Sequence, residues 1–319
     1  MDHVLQETPG NNVTCDRKEE MVKDRKLYGE LQLPFKHSYL HGHIYPPFVK
    51  QQHLDETKAF KVRLDDVFIA TFPKNGTTWT QKIILNLHKV HQTDHDLAKP
   101  DEKHMLEVMP WLENTPNEVV DNMPGPRYIK THNAYDWVAY DPAVPCKYIY
   151  IARNPKDVCV SLWHHCKGFA VFEYDGPFDE FAELFLQGKV ESGDWWEHVR
   201  GFYKNKRDMT VLFMKYEDMH ADGAAAIKKL NDFCSLPPLT DEMAAKVVEL
   251  SAFKSMKSDP KSNYSWLDDV RKKDQAPFMR KGTVGDWTNY FSTEMAEKFD
   301  EKTQQMFSDL DLDFSCDKL

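Results

Sequence analysis

The sequence has 319 residues, of which 41% are apolar, and it carries a net charge of -10 with a pI near 5.8. The apolar content is enough for a substantial core, so the chain should fold as a globular protein. A surface that binds nucleic acid needs a broad excess of Lys and Arg, which this chain lacks, so we expect no nucleic-acid partner and only a local cationic site.

The N-terminus and the distribution of apolar residues predict one cytoplasmic domain. Residues 1–30 are polar and charged, and we expect them to form a mobile N-terminal segment. No basic, apolar leader opens the sequence and no 18 apolar residues run together, so we expect neither secretion nor a membrane partner. We find no repeat and no Gly/Ser-rich hinge, so residues 31–319 are predicted to form a single domain.

The spacing of cysteines and histidines does not indicate a metal site. The six cysteines are scattered, as is usual in a reducing cytosol. His41-x-His43 and His164-His165-Cys166 have no third ligand indicated, so we interpret these histidines as solvated or packing residues. We therefore expect no bound metal.

The first strong pattern along the chain is a strand, a loop and a helix. Residues 67–72 are continuously apolar, and the residues from Trp79 onwards have helical apolar spacing. Between them, Gly76 lets the backbone approach a ligand closely, and Thr77 and Thr78 open a helix whose positive dipole end attracts an anion. The loop is therefore predicted to hold a phosphate group.

This loop is P-loop-like but differs from the usual nucleotide loop, G-x-x-x-x-G-K-[ST]. In that motif the lysine follows the second glycine, and the last hydroxyl binds magnesium. Here Lys74 precedes Gly76 and the magnesium-binding ending is missing. The difference argues against an ATP-dependent kinase.

Two further predicted strands end at charged or polar residues. Residues 127–130 form one of them, and Lys130 and His132, two positions apart, project to the same face. Residues 147–152 form the other, and Arg153 follows it directly. Paired chemistry at the strand ends is therefore possible.

A helix start follows Arg153. Asn154 is a suitable N-cap, Pro155 suits the first helical position, and Asp157 stands three residues after the cap. Ser161 then lies about two turns into the helix. Arg153 and Ser161 are therefore predicted to reach one anion.

Residues 164–181 are irregular and rich in aromatic side chains, and two interpretations stay open. The segment either packs in the core or forms a mobile cover over an apolar pocket. The aromatic residues concerned are Phe169, Phe172, Tyr174 and Phe178.

The remainder of the chain predicts one more strand and several helices. Residues 195–202 have helical apolar spacing, and residues 211–216 form a buried strand that ends at Tyr216. Three further helices are predicted to begin at Asp222, Thr240 and Ser292. The stretch between the helices that begin at Thr240 and Ser292 is predicted to be irregular, and its basic triplet at 280–282 suits a phosphate group.

Together these elements predict an α/β fold in which helices flank a central parallel sheet. In open sheets of this kind, ligands bind outside the carboxyl ends of the strands. The loop at 74–78 therefore forms one predicted anion site, and Arg153, Ser161 and residues 280–282 form a second at the same edge. A nucleotide with two phosphate groups far apart fits this arrangement.

Five motifs occur in an order that resembles the cytosolic sulfotransferases, over roughly residues 40 to 310. Members of this family use 3'-phosphoadenosine 5'-phosphosulfate (PAPS) as sulfuryl donor and release PAP. The motifs are F-P-K-N-G-T-T-W at 72–79, K-T-H at 130–132, Y-I-A-R-N-P-K-D-V-x-V-S at 150–161, K-Y-E-D-M at 215–219 and F-M-R-K-G-x-x-G-D-W at 278–287.

The resemblance implies a role for each matching residue. His132 resembles the base that takes the acceptor's proton, Lys130 its charge-stabilising neighbour, and Tyr216, Phe253 and Met256 the adenine pocket, while Trp79 stacks on adenine. The implied catalytic set is His132, Lys74, Lys130 and Ser161. The implied donor-binding set is Lys74, Asn75, Gly76, Thr77, Thr78, Trp79, Arg153, Ser161, Tyr216, Ser251, Phe253, Met256, Phe278, Met279, Arg280, Lys281 and Gly282. The acceptor pocket is predicted to include Tyr135, Phe169, Phe172 and Tyr174.

Three positions depart from the family pattern. Asn133-Ala134 stands where the family usually has Leu-Pro, which affects the shape of the acceptor pocket. Ser251-Ala252-Phe253 replaces the common Thr-Ser-Phe. The family's dimer motif lacks its lysine and valine at residues 288–297, so monomer and dimer both stay open.

The predicted function is therefore PAPS-dependent sulfation of a hydroxyl or amine on a small, fairly apolar acceptor, by in-line attack. Sulfuryl transfer depends on positioning and fixed positive charge, as phosphoryl transfer does. A histidine whose unperturbed pKa is near neutral can serve as the base. The alternative is a protein of the same fold that binds a nucleotide or a small hydrophobic compound without turnover. A membrane-anchored carbohydrate sulfotransferase is disfavoured because no span is found. The acceptor itself is decided by pocket loops.

Overall fold

The computed structural model of the protein describes residues 32–98 and 104–314. The predicted N-terminal segment at residues 1–30 lies outside these described residues. A two-stranded antiparallel hairpin comes first, with β1 at Ser38–Leu40 and β2 at His43–Tyr45. Its two-residue turn, His41-Gly42, has positive φ at both positions, as in the turns that suit tight hairpins.

The central sheet has four parallel strands. They are β3 (Val67–Ala70), β4 (Tyr128–Thr131), β5 (Lys147–Ala152) and β6 (Thr210–Lys215), in the order β4-β3-β5-β6. The predicted α/β fold with a central parallel sheet is thus confirmed. The chain steps from β3 to one side for β4 and to the other side for β5, so the loops after β3 and β5 lie next to each other at a topological switch point.

Helices surround this sheet. The structure describes α1 (Gln51–Ala59), α2 (Thr77–His91), α3 (Met105–Val108), α4 (Asn117–Asp121), α5 (Pro155–Gly168), α6 (Phe178–Leu186), α7 (Trp195–Lys204), α8 (Tyr216–Ala221), α9 (Gly223–Phe233), α10 (Asp241–Leu250), α11 (Phe253–Ser258) and α12 (Thr293–Phe307). No helix in the two described ranges is long and apolar enough to cross a membrane.

The two faces of the sheet bury two separate hydrophobic clusters. Because successive strand residues point to opposite faces, Phe68 and Tyr148 pack in one cluster, whereas Ile69 and Ile149 pack in the other. Strands that are buried on both faces are expected to read as continuous apolar runs. This explains why β3 and β5 are recognisable in the sequence.

The helix starts follow the predicted caps. The Asn154 side chain accepts from Lys156 N at 2.9 Å, and Pro155 begins α5. Asp222, Thr240 and Ser292 likewise cap α9, α10 and α12. A helix cap depends only on residues close in sequence, and for this reason the predicted caps are found in the folded chain.

Other boundaries differ from the prediction. Tyr216 is the first residue of α8 and not the last residue of β6. The stretch predicted to be irregular contains α11, and the segment 164–181 contains a 3₁₀ turn at Ala170–Phe172 and the start of α6. The 3₁₀ turn and α11 are too short for a periodic apolar stripe to mark them, whereas α6 does carry such a stripe at Phe178, Phe181, Ala182 and Phe185, which the sequence analysis did not recognise.

Candidate active site

A cavity of about 920 Å³ opens at the carboxyl edge of the sheet. The loops that follow β3, β4 and β5 all contribute to its wall, as the switch-point geometry requires. Among the described residues, six Lys or Arg side chains line it against three carboxylates, which makes it locally cationic in an acidic protein. The cations are Lys36, Lys74, Lys130, Arg153, Arg280 and Lys281.

The loop after β3 enters α2 through a left-handed glycine. Gly76 has φ of 107° and is the residue before the first turn of α2. A Cβ at this position would lie 2.8 Å from Tyr216 Cδ2, so only glycine fits. Thr77 and Thr78 then present the start of the helix to the cavity. The loop therefore exposes backbone amides and a positive helix end to an anion.

Asn75 has a structural position in this loop. Its side chain is fully buried and donates from Nδ2 to Ile151 O at 3.1 Å, which fastens the loop to β5. It does not line the cavity, unlike its neighbours.

Arg153 joins the loop after β5 to three other segments. Its guanidinium donates to Thr283 O at 2.9 Å and to Lys74 O at 3.4 Å, and its Cζ lies 4.4 Å from the Tyr216 ring centroid. The residue is 9% exposed, and its buried Nε has no hydrogen-bond partner in the described structure. An unpaired buried N–H on a cation is a ready donor to an anion.

The basic turn at 280–282 lies beside α5 and faces the same cavity as Arg153 and Ser161. Asp157 in the first turn of α5 accepts from Gly285 N at 2.8 Å and from Trp287 N at 2.9 Å. This carboxylate therefore holds the turn and is not part of a helix cap. Gly282 has φ of 67°, and a Cβ there would collide with the ring of Phe253.

Aromatic side chains form an apolar wall between the two cationic groups. Trp79 lies edge-on to Tyr216 with ring centroids 5.2 Å apart, and Phe253 and Met256 line the same cavity. Ser251 also lines it, while its hydroxyl accepts from Asn86 Nδ2 at 2.9 Å. A flat base fits between such rings.

His132 stands at the end of β4 with a defined tautomer. Its Nδ1 lies 2.7 Å from Thr71 O, and since a carbonyl only accepts, Nδ1 carries the proton and Nε2 the lone pair. Burial lowers the pKa of His132 well below its usual value, and Lys130 nearby adds to this effect. The imidazole is therefore neutral at physiological pH.

Glu113 supports this loop from beneath. Its buried Oε1 accepts from His132 N at 2.9 Å, from Asn133 N at 2.8 Å and from the Thr131 hydroxyl. Burial raises the pKa of this carboxyl, while the bonds from Thr131 and the backbone oppose the rise. The sequence analysis did not identify Glu113, because no local motif marks a carboxylate whose partners lie 18 to 20 residues away.

Two lysines in the cavity are poorly solvated. Burial lowers the pKa of Lys74 to about 7, with Glu191 opposing the change, and it lowers the pKa of Lys130 to about 8. Lys74 Nζ lies 4.3 Å from the ring centroid of Phe278, and Lys130 Nζ lies 4.5 Å from that of Trp111. Aromatic faces therefore hold both ammonium groups at the cavity.

A second, largely apolar part of the cavity adjoins His132. The Trp111 ring lies 5.6 Å from the His132 ring and contacts Phe48 at 5.7 Å. Phe169 and Phe172 also line the cavity, as predicted. This apolar part of the cavity therefore lies directly beside the His132 imidazole.

Within the described ranges, the structure brings most of the predicted residues together at the cavity and leaves three of them away from it. Tyr135 packs on Phe202, and Tyr174 packs on Phe35 and Phe181, so neither lines it; Asn75 is the third. The lining residues from the predicted set are Lys74, Gly76, Thr77, Thr78, Trp79, Lys130, His132, Arg153, Ser161, Phe169, Phe172, Tyr216, Ser251, Phe253, Met256, Phe278, Met279, Arg280, Lys281 and Gly282.

His165 and Glu191 also line the cavity, although the sequence analysis assigned them no role. His165 packs among Phe169, Phe172 and Phe278. Within residues 32–98 and 104–314, no three His, Cys, Asp or Glu side chains are grouped so that they could hold a metal ion.

Comparison with known proteins agrees with the motifs. A family model described as a sulfotransferase domain matches residues 64–311. Human sulfotransferase 1E1 is 36% identical over 300 residues, which is 90% of this chain and 99% of that protein. Rabbit (Oryctolagus cuniculus) amine sulfotransferase is 34% identical over 84% of this chain and 89% of its own length.

A solved structure is similar over most of the fold. The crystal structure of mouse sulfotransferase SULT7A1 complexed with PAP has a TM-score of 0.71 and 29% identity, and the match covers 86% of this chain and 96% of that one. Retinol dehydratase, with 22% identity and a TM-score of 0.71, shares the fold. Because the family model matches residues 64–311, which is most of the chain, and a relative is 36% identical over 90% of it, the chain belongs to the sulfotransferase family.

Proposed function

We propose that the protein transfers a sulfuryl group from PAPS to a hydroxyl or amine of a small, fairly apolar acceptor, and releases PAP. The observation that carries this proposal is the meeting of two separate cationic groups and a neutral His132 in one cavity. We assign the activity to the cytoplasm, and it needs no resident metal because fixed cations supply the charge.

The residues present fit a nucleotide that carries phosphate groups at both ends. The backbone at Gly76 and Gly282 is open where a Cβ would collide with neighbouring rings, and Arg153 has a buried N–H without a partner. The wall between Trp79 and Phe253 suits a purine. When bound, PAPS would supply the transferable sulfuryl group and the leaving phosphate.

In this proposal His132 is the general base. Thr71 O holds Nδ1–H, so the Nε2 lone pair is free to take the proton from the attacking hydroxyl or amine. Glu113 fixes the backbone at His132 and Asn133, which keeps the imidazole in place. In-line attack depends on the correct positioning of the acceptor and the base, and not on a covalent intermediate with the protein.

Lys74 and Lys130 are proposed to stabilise the charge that develops during transfer. Lys74 lies at the loop before α2, and Lys130 projects from β4 toward the same cavity as His132. Fixed ammonium groups in a poorly solvated site stabilise growing negative charge more strongly than they would in water. Ser161, two turns into α5, adds a hydroxyl on the Arg153 side.

The experiment is a sulfuryl-transfer assay with labelled PAPS over phenols, aliphatic alcohols, sterols and amines. We expect His132→Ala to lower kcat by about 10²- to 10⁴-fold, the usual contribution of a general base. We expect its Kd for PAP, measured by calorimetry, to change by less than about twofold, since the base does not hold the nucleotide.

His91→Ala is the matched control. His91 lies at the end of α2 and hydrogen-bonds Asn231 at 2.8 Å, away from the cavity, so its activity should equal that of the wild type. Full activity of His132→Ala would mean that another group is the base. Binding of PAP without any transfer would favour the alternative of a non-catalytic binding protein.

A further inference from the structure

One carboxyl oxygen at the cavity, Glu191 Oε2, has no hydrogen-bond partner among the described residues, although Lys74 and Lys130 interact with the group electrostatically. Glu191 follows α6 and is only 4% exposed, yet it lines the cavity. Its buried Oε2 makes no hydrogen bond within the described chain. The nearest basic group is His165 Nε2, at 3.9 Å, which is too long for a hydrogen bond.

His165 does not neutralise this carboxylate. Burial lowers the pKa of His165 well below its usual value, and the nearby Lys74 and Lys130 lower it further, so the imidazole is neutral. Its buried Nδ1 also lacks a hydrogen-bond partner within the described ranges. The pair therefore leaves two unsatisfied polar atoms buried beside the cavity.

A buried carboxyl without partners is costly. Leaving a buried polar group without a hydrogen bond destabilises the fold, and a charged group does so more strongly. Native proteins satisfy nearly all such groups, so an exception indicates a missing partner. Since Glu191 lines the cavity and is only 4% exposed, a molecule bound in the cavity can supply this partner.

The location of Glu191 identifies the kind of partner. Phosphate and sulfate groups are acceptors only at neutral pH, and Glu191 repels them once it is ionised, above its pKa of about 7, so the nucleotide does not satisfy the ionised carboxylate. The surrounding wall includes Phe169, Phe172 and Phe278, on which His165 packs. A molecule that bonds Glu191 is therefore mainly apolar and carries a hydrogen-bond donor.

We propose that Glu191 is a specificity-determining residue that binds a second hydrogen-bond donor of the acceptor. The acceptor class is then a compact aromatic or alicyclic compound with its reacting hydroxyl or amine and, in addition, another hydroxyl or a protonated amine that bonds Glu191 Oε2. This inference rests on the proposed sulfuryl transfer, because it treats the apolar part of the cavity as the acceptor site.

The test measures acceptor binding to the full chain saturated with PAP, so that no turnover occurs. Two matched pairs are compared by calorimetry: 2-naphthol with 2,3-dihydroxynaphthalene, and 4-ethylphenol with tyramine. The first pair adds a hydroxyl and the second adds an ammonium group. We expect the wild type to bind the donor-bearing member of one or both pairs about tenfold or more tightly, as is usual for hydrogen bonds to charged groups.

Two variants separate recognition from a general charge effect. Glu191→Gln keeps the shape but loses the charge, and it should lose the preference while it binds the simpler member as the wild type does. Glu173→Gln is the control, because Glu173 also lines the cavity but pairs with Lys36; it should keep the preference.

The outcomes are distinct. Equal affinities within each pair for the wild type, a preference that persists in Glu191→Gln, or no acceptor binding to the PAP complex would each overturn the role of Glu191. If PAP binds and PAPS is turned over in these cases, the proposed function stands without this inference. A wild type that neither binds PAP nor transfers sulfuryl from PAPS overturns both.

Discussion

At the residue scale, three groups in the cavity titrate within the same pH range. Burial brings the pKa of Lys74 to about 7 and that of Lys130 to about 8, while burial raises the pKa of Glu191 to about 7. Below this range the lysines are charged and Glu191 is neutral, which favours an anion. Above it the lysines lose charge and Glu191 gains it, so both changes oppose an anion.

We therefore predict that PAP binds more weakly as pH rises from 7 to 9.5, with Kd increasing by about tenfold or more. Phosphate groups lose their last proton near pH 6, so they stay fully charged in this range. His132 and His165 are neutral throughout, because burial lowers both pKa values. Calorimetry in buffers of different ionisation enthalpy should also detect proton uptake on binding.

Lys74→Arg is the control for this prediction. Arginine stays protonated over the whole range, so the variant should show a shallower dependence of Kd on pH. A wild-type Kd that does not change between pH 7 and 9.5 would contradict the lowered lysine pKa values.

Residue identity could be predicted only where a local motif specifies it. Lys74, Lys130 and His132 directly follow or end apolar strands, and the strand ends place them at one edge. Glu113 and Glu191 have no such signal, since each contacts the site through a loop that is distant in sequence. Their burial, which makes them informative, arises only in the folded chain.

At the element scale, the turn at 280–287 is attached to the first turn of α5 by hydrogen bonds. Asp157 in the first turn of the helix is buried and accepts two of the turn's backbone N–H groups. From the sequence we expected Asp157 to support only the helix start. Its actual partners are 128 and 130 residues away, a contact that no local rule predicts.

Two glycines of this turn allow a controlled test. Gly282 and Gly285 both have positive φ, 67° and 82°, so replacement by alanine costs each about 1 kcal/mol of backbone strain. Only at Gly282 would the new Cβ also collide with Phe253, which lines the cavity. We predict that Gly282→Ala weakens PAP binding by about tenfold or more, while Gly285→Ala changes it by less than about threefold.

Calorimetric Kd values for PAP, together with urea unfolding of both variants, decide this prediction. Similar unfolding free energies with different Kd values would assign the effect to the binding surface. Equal losses of PAP affinity in the two variants would mean that turn strain matters and the contact with Phe253 does not.

At the scale of the whole molecule, the central parallel sheet could be predicted because both faces of β3 and β5 are buried, whereas its strand order was not predicted and β6, expected to be buried, is largely half-buried. The short β1–β2 hairpin could not, since each strand has three residues and its turn is His-Gly, a weaker signal than Asn-Gly. The aromatic segment at 164–181 is similar. Phe169, Phe172, Tyr174 and Phe178 are all buried, but only the fold distinguishes cavity lining from core.

Arg153 links several parts of the molecule through one guanidinium. It contacts the loop after β3 at Lys74, the basic turn at Thr283, the start of α8 at Tyr216 and α5 at Asp157. An anion that bonds its unpaired Nε would therefore hold these segments together. The stability gained on ligand binding should depend on this residue.

We predict this dependence quantitatively. PAP at a hundred times the wild-type Kd should raise the free energy of unfolding of the wild type by about 2.7 kcal/mol, and His132→Ala should gain the same amount. If Arg153→Ala binds PAP about a hundredfold more weakly, the gain at that concentration falls to about 0.4 kcal/mol. Arg153→Lys should lie between, since it keeps the charge but not the planar fork. Urea unfolding with and without PAP measures these gains. A full gain in Arg153→Ala would show that the nucleotide is bound without this guanidinium, and the shared anion site would then have to be reassigned.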